Sequence, residues 1–124
     1  MSNDCPFCDF EEAIVNGKLA YARYDKYPVS KGHILIVPKR HVSDFFNTTN
    51  EEKIEFYSII DKCKSMIDEL YSPDGYNIGI NVGETAGQTV MHVHIHLIPR
   101  YQGDMDEPRG GVRGVIPEKR IYFS

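Results

Sequence analysis

Within the stretch MHVHIHLIPR, three of the chain's five histidines, His92, His94 and His96, occupy alternate positions. In an extended strand alternate side chains share a face, so these imidazoles point one way while Val93, Ile95 and Leu97 point the other. Same-face positions lie about 6.5–7 Å apart. That spacing admits two kinds of chemistry. Neutral imidazoles at H-x-H positions can ligate a metal ion, or one imidazole can attack phosphorus while its neighbours orient the reacting group. A polar strand face in solvent is the third reading, but histidine is rare and the clustering makes chance a poor account. Periodicity alone leaves ligation and nucleophilic catalysis open.

Two nearby stretches bear on the choice. GETAGQT, just before the histidines, supplies Gly83, Gly87, Gln88 and Thr89. Glycines admit close backbone approach, and successive N–H groups with a hydroxyl can cradle a phosphate. Beside three imidazoles this favours phosphate chemistry over bare metal binding. CPFC, at Cys5 and Cys8, is a Cys-x-x-Cys pair. A redox role is disfavoured because no thioredoxin-like βαβ pattern follows it. Cys63 sits on an apolar helical stripe and reads as core.

The elements that position these residues follow from pattern. CPFCDFEEAIVNG reads as a tight knuckle, a short helical turn and a glycine stop. KLAYARYD, HILIVP, YNIGINV and HVHIHLI read as strands. The spacing predicts one long helix from about Asn50 to Tyr71, opened by a Thr49–Glu52 capping box and ended by SPDG. Its core stripe is expected at Ile60, Cys63, Ile67 and Leu70. The class is α+β: a mostly antiparallel sheet of about five strands, one long helix and a short N-terminal helix. All 124 residues read as one domain. Residues 1–17 form a knuckle segment, and 99–124 an arm rich in Gly, Pro and charge.

Composition narrows the partners. A formal charge of −4 with scattered Lys and Arg argues against a nucleic-acid-binding face. No apolar run approaches ~20 residues, so no membrane span is expected. The first residues lack the basic-then-apolar order of a secretory signal, which predicts a cytoplasmic address.

The stretches AGQTVMHVHIHLIPR, GHILIVPKRH and CPFC together resemble the histidine triad (HIT) family of nucleotide hydrolases and transferases. The triad pattern is matched at every position from His92 to Ile98. The resemblance implies a HIT-like fold and His94 as nucleophile, attacking the α-phosphorus of a nucleotide to give a covalent nucleotidyl-imidazole that water hydrolyses. It implies phosphate contacts from His96 and His33, a phosphate-binding loop at Gln88 and Thr89, a phosphate-facing Asn81, and ribose binding at Asp25. It implies a structural zinc on Cys5, Cys8, His41 and His92, a Cys₂His₂ set suited to a closed tetrahedral site. It also implies a homodimer. HLIPR favours the dinucleoside polyphosphate branch, with a substrate such as diadenosine tetraphosphate; Arg100, Arg109 and Arg113 are candidates for a distal phosphate. The alternatives are adenosine phosphoramidate hydrolysis by the same chemistry and a non-catalytic nucleotide-binding module.

Overall fold

The computed structural model describes residues 5–122, so the first four residues of the knuckle segment and the last two of the arm lie outside it. Five strands form one sheet: β1 (Val15–Asn16), β2 (Ala20–Tyr24), β3 (Ile34–Pro38), β4 (Gly75–Ile80) and β5 (Ile95–Arg100). Their order is β1-β2-β3-β5-β4, and every pairing is antiparallel. The helix α1 (Asn50–Tyr71) connects β3 to β4.

Both faces of the central strands are covered, which explains why β3 reads as a continuous apolar run. Ile34 and Ile36 face α1 with Ala20, Ala22, Ile95 and Leu97, against Phe56, Ile59, Cys63 and Ile67 of the helix. Leu35 and Val37 face the other way, where Tyr21 and Phe7 cover them. Each such side chain contributes about 1.5–3 kcal/mol by leaving water. The alternation carries into β5: Ile95 and Leu97 go to the helix side, and His96 goes to the opposite face. The histidines therefore lie on the sheet face that α1 does not occupy.

Helix α1 starts as its capping box requires. Thr49 Oγ1 accepts the Glu52 N–H at 3.0 Å, and the Glu52 carboxylate accepts the Thr49 N–H at 2.8 Å. Ser72 ends the helix in a left-handed conformation, φ 50°. The stripe differs from expectation at its end. Leu70 is 59% exposed, because the last turn borders a surface hollow with Lys31 and Tyr101 rather than a strand.

The N-terminal segment also departs from the expected short helix. Residues 5–14 form successive turns. Pro6 cannot donate to a helix, and the Asp9 carboxylate takes the Glu11 N–H at 2.9 Å, holding a local turn instead. The triad strand is shorter than its pattern too. The ladder begins at Ile95, and His92–His94 run up to it with the Val93 N–H donated to the Val42 carbonyl at 2.8 Å. Pro99 is tolerated in β5 because the β3 pairing ends at Leu97, so no ladder bond is asked of its nitrogen. No helix among the described residues is long and apolar enough to cross a membrane.

Candidate functional site

His94 lies on the wall of a cleft of about 360 Å³, together with Asp25, Asn81, Thr89 and His96. Its ring is 9% exposed. Nδ1 donates to the His92 carbonyl at 2.8 Å. A neutral imidazole carries one proton, so this bond leaves Nε2 with a free lone pair.

His96 is set by a longer chain of bonds. The Val29 N–H donates to His33 Nδ1 at 3.1 Å, so the proton of neutral His33 must sit on Nε2. That proton is donated to His96 Nδ1 at 2.9 Å. His96 in turn carries its proton on Nε2, as a donor. Asp25 flanks the chain, with Oδ2 3.4 Å from His33 Nε2 and Oδ1 accepting the Tyr27 N–H at 2.9 Å. Burial, reinforced by the neighbouring His94 and His33 rings, pushes His96 down to about 4. Burial lowers His33 as well, against the pull of Asp25. Both rings are neutral at pH 7. Asp25, His33 and His96 stand close enough to share a cation. Yet ligation through His33 Nε2 would require moving its proton to Nδ1, against the Val29 N–H. The hydrogen bonding favours a relay over a metal centre.

The second group has the opposite arrangement. Cys5, Cys8, His41 and His92 bring one donor atom each within 4.8 Å of the others. His92 Nε2 donates to the Pro38 carbonyl at 2.7 Å, turning its Nδ1 lone pair towards Cys5 Sγ at 3.3 Å, Cys8 Sγ at 3.6 Å and His41 Nδ1 at 3.1 Å. Cys8 Sγ lies 3.2 Å from His41 Nδ1. Tetrahedral zinc with ordinary bond lengths would set S···N edges near ~3.5 Å and N···N edges near ~3.3 Å. The cluster is built to those dimensions. Burial and the neighbouring Cys5 raise the Cys8 thiol, so a thiolate pair there calls for a cation. The residues fit zinc, which would supply a rigid tie between the knuckle and the triad strand.

A family model of the HIT domain matches residues 10–103. The chain belongs to the HIT family. It is 36% identical over 104 residues to the "AP-4-A phosphorylase" of Mycobacterium tuberculosis, covering 82% of this chain and 53% of that protein. It is 38% identical over 90 residues to the "Bis(5'-nucleosyl)-tetraphosphatase [asymmetrical]" of Schizosaccharomyces pombe, covering 73% and 50%. The HIT chain thus spans about half the length of these curated relatives. Among solved structures it is similar to a "ZN-bound histidine triad family protein" from Mycobacterium smegmatis, with TM-score 0.72, 32% identity, and coverage of 82% and 78%. The HIT match starts after Cys8, so the knuckle cysteines lie outside it.

Not every residue singled out in the sequence reaches the cleft of this HIT domain. Gln88 is 3% exposed and its amide is spent on the loop: Oε1 accepts from Gly83 N–H at 2.8 Å, and Nε2 donates to the Ser43 and Val90 carbonyls at 2.8 and 3.1 Å. Gly87, at φ 96°, lets that loop turn where a side chain would be strained. Arg100 is held by Asp104 and Asn77, and Arg113 by the carbonyls of Lys119 and Arg120. Neither they nor Arg109 line the cleft. Phe7, Arg23, Leu35 and Val90 do line it and carried no signal of their own. Phe7 sits between the two knuckle cysteines.

Proposed function

We propose that this HIT protein hydrolyses dinucleoside polyphosphates such as diadenosine tetraphosphate through a nucleotidyl-His94 intermediate. The reading is carried by the Nδ1–H bond from His94 to the His92 carbonyl, which leaves Nε2 with its lone pair on a residue that lines the cleft. Nε2 attacks the α-phosphorus, a P–N bond forms, and the P–O bond to the departing polyphosphate breaks with its electron pair on oxygen. The His92 carbonyl stabilises the positive charge that grows on the ring. His96 Nε2–H donates towards the departing oxygen. Water then attacks phosphorus and gives up a proton to solvent, the P–N bond breaks with its electron pair returning to Nε2, and a nucleoside monophosphate leaves with His94 restored. Thr89 and Asn81 provide polar contacts to the phosphate, and Asp25 retains lone pairs for the ribose hydroxyls. Gln88 acts by holding the loop's shape.

The Cys5, Cys8, His41 and His92 cluster holds structural zinc in this reading. The protein acts in the cytoplasm in this reading, as a homodimer; the dimer is supported by exposed Ile78 on the free edge strand β4 and exposed Ile54 and Tyr57 on α1. Sedimentation that gives a monomer sinks that part. The function is tested by incubating the protein with diadenosine polyphosphates and an adenosine phosphoramidate, with and without inorganic phosphate, and identifying products. Hydrolysis of the polyphosphates, abolished in His94→Ala, is expected. Turnover of the phosphoramidate alone, or of none, overturns it.

A further inference from the structure

The cysteine-containing cluster is joined to His94 at two points. His92, of the cysteine-containing cluster, supplies the carbonyl that receives the His94 proton. Phe7 lies between Cys5 and Cys8 in a turn closed by the Cys8 N–H donating to the Cys5 carbonyl at 3.3 Å. Its ring centroid is 4.9 Å from that of His94 and 6.1 Å from that of His92. Pro6 and Phe7 together wall one side of the cleft.

Strand β2 braces the same turn. Tyr21 Oη donates to the Phe7 carbonyl at 2.7 Å, and Arg23 Nη1 donates to the Pro6 carbonyl at 3.0 Å. The Arg23 guanidinium carbon stands 5.6 Å from the Phe7 ring centroid, and its Nη2 reaches Glu12 at 3.1 Å. Arg23 is 4% exposed, and its Nε is a buried side-chain nitrogen without a partner. A buried donor left unpaired is costly. The guanidinium thus keeps its bonds to the knuckle at the expense of one of its own. The bonds from β2 reach the knuckle on one side only, at the Pro6 and Phe7 carbonyls, and those two residues line the cleft.

We propose that Phe7, placed by Arg23, couples the Cys5, Cys8, His41 and His92 cluster to the nucleotide cleft, so that zinc on the cluster tightens nucleotide binding and nucleotide tightens zinc binding. This rests on the nucleotide reading given above. With the four donors drawn to one ion, Phe7 is held against His94. Without the ion, the His41 and His92 Nδ1 atoms, 3.1 Å apart, have no shared partner, and the turn is left to its own Cys8–Cys5 backbone bond and the bonds from β2. A coupling between sites is reciprocal by thermodynamic necessity. Phe7 lines the cleft beside His94, and Arg23 is a positioning residue.

The probes are AMP and Zn²⁺. AMP affinity is measured by titration calorimetry on zinc-loaded and chelator-stripped full-length protein, with circular dichroism confirming the fold. Zinc affinity is measured by competition with a chromogenic chelator, with and without saturating AMP. The expected result is about tenfold weaker AMP binding without zinc and about tenfold tighter zinc binding with AMP. Zinc-loaded Phe7→Ala should keep its zinc affinity but lose the response to AMP, and Phe7→Tyr should restore it. Should stripping unfold the protein, zinc competition in wild type and Phe7→Ala still decides. AMP binding that ignores zinc, or zinc affinity that ignores AMP, overturns the coupling alone. No AMP binding to either form overturns the nucleotide reading and the coupling with it.

Discussion

The clusters around His92 and His96 both bring two imidazoles together, one pair beside two cysteines and the other beside Asp25, and they bond those rings in opposite ways. In one, His92 donates Nε2–H to the Pro38 carbonyl, so its lone pair faces two sulfurs and another imidazole. In the other, a backbone N–H takes the His33 lone pair, and the His33 proton takes that of His96. The first set of lone pairs converges and calls for a cation. The second is satisfied within the protein and presents donors. What separates a cluster able to hold a metal from one whose lone pairs are already used is the partner of each second ring nitrogen, a feature invisible in the spacing H-x-H-x-H.

The comparison can be broken at several points. The largest effect is expected from His94→Ala, which should lower turnover of diadenosine tetraphosphate by about 10⁴-fold or more while AMP still binds. Residual turnover near wild type would remove the nucleophile from the account. Next, Cys5→Ser should release the metal and lower the melting temperature by about 10 °C, read by elemental analysis and thermal scanning. The relay of His33 and His96 should survive this change; equal metal content in mutant and wild type would refute the ligand set. A third cut goes the other way. His33→Ala should leave metal content unchanged yet reduce turnover by about 10²–10⁴-fold, because His96 loses the bond that fixes its tautomer. Loss of zinc in that variant would erase the distinction between the clusters.

The smallest effect is on stability against pH. An unfolded histidine titrates near ~6.5, whereas folded His96 titrates at about 4. Between those values the unfolded chain binds the proton and the folded chain does not. Stability from this group is therefore complete above about pH 6.5 and is lost as pH falls towards 4. Urea titrations across that window should show the decline, and His96→Asn should flatten it. An identical slope in the variant would mean that the ring is not buried as a neutral group.

Much of this was legible from local pattern. The α1 boundaries and the Thr49–Glu52 box were readable because capping involves residues only three apart. β2 and β3 were readable as short apolar runs and β5 by its alternation, all local signals, although the β5 ladder starts only at Ile95. No short N-terminal helix forms among the described residues, since Pro6 and the Asp9 turn compete with it and the Cys5–Cys8 turn answers to partners far along the chain. Leu70 has a helical azimuth suited to the core, but its burial depends on where the sheet stops. Gln88 illustrates the same limit at the site. Its neighbours suggest a phosphate donor, while its amide is claimed by Ser43, Gly83 and Val90.

By itself the sequence determined which chemistry was within reach: imidazoles on one face, a glycine-containing loop beside them, and two thiols at knuckle spacing. It also determined the family, because those features are short and contiguous. Only the tertiary structure decided which histidine holds its proton where, and that Phe7 and Arg23 stand in the cleft wall. Those outcomes depend on contacts between residues distant in the chain, and a proton goes to whichever ring nitrogen the fold leaves facing an acceptor.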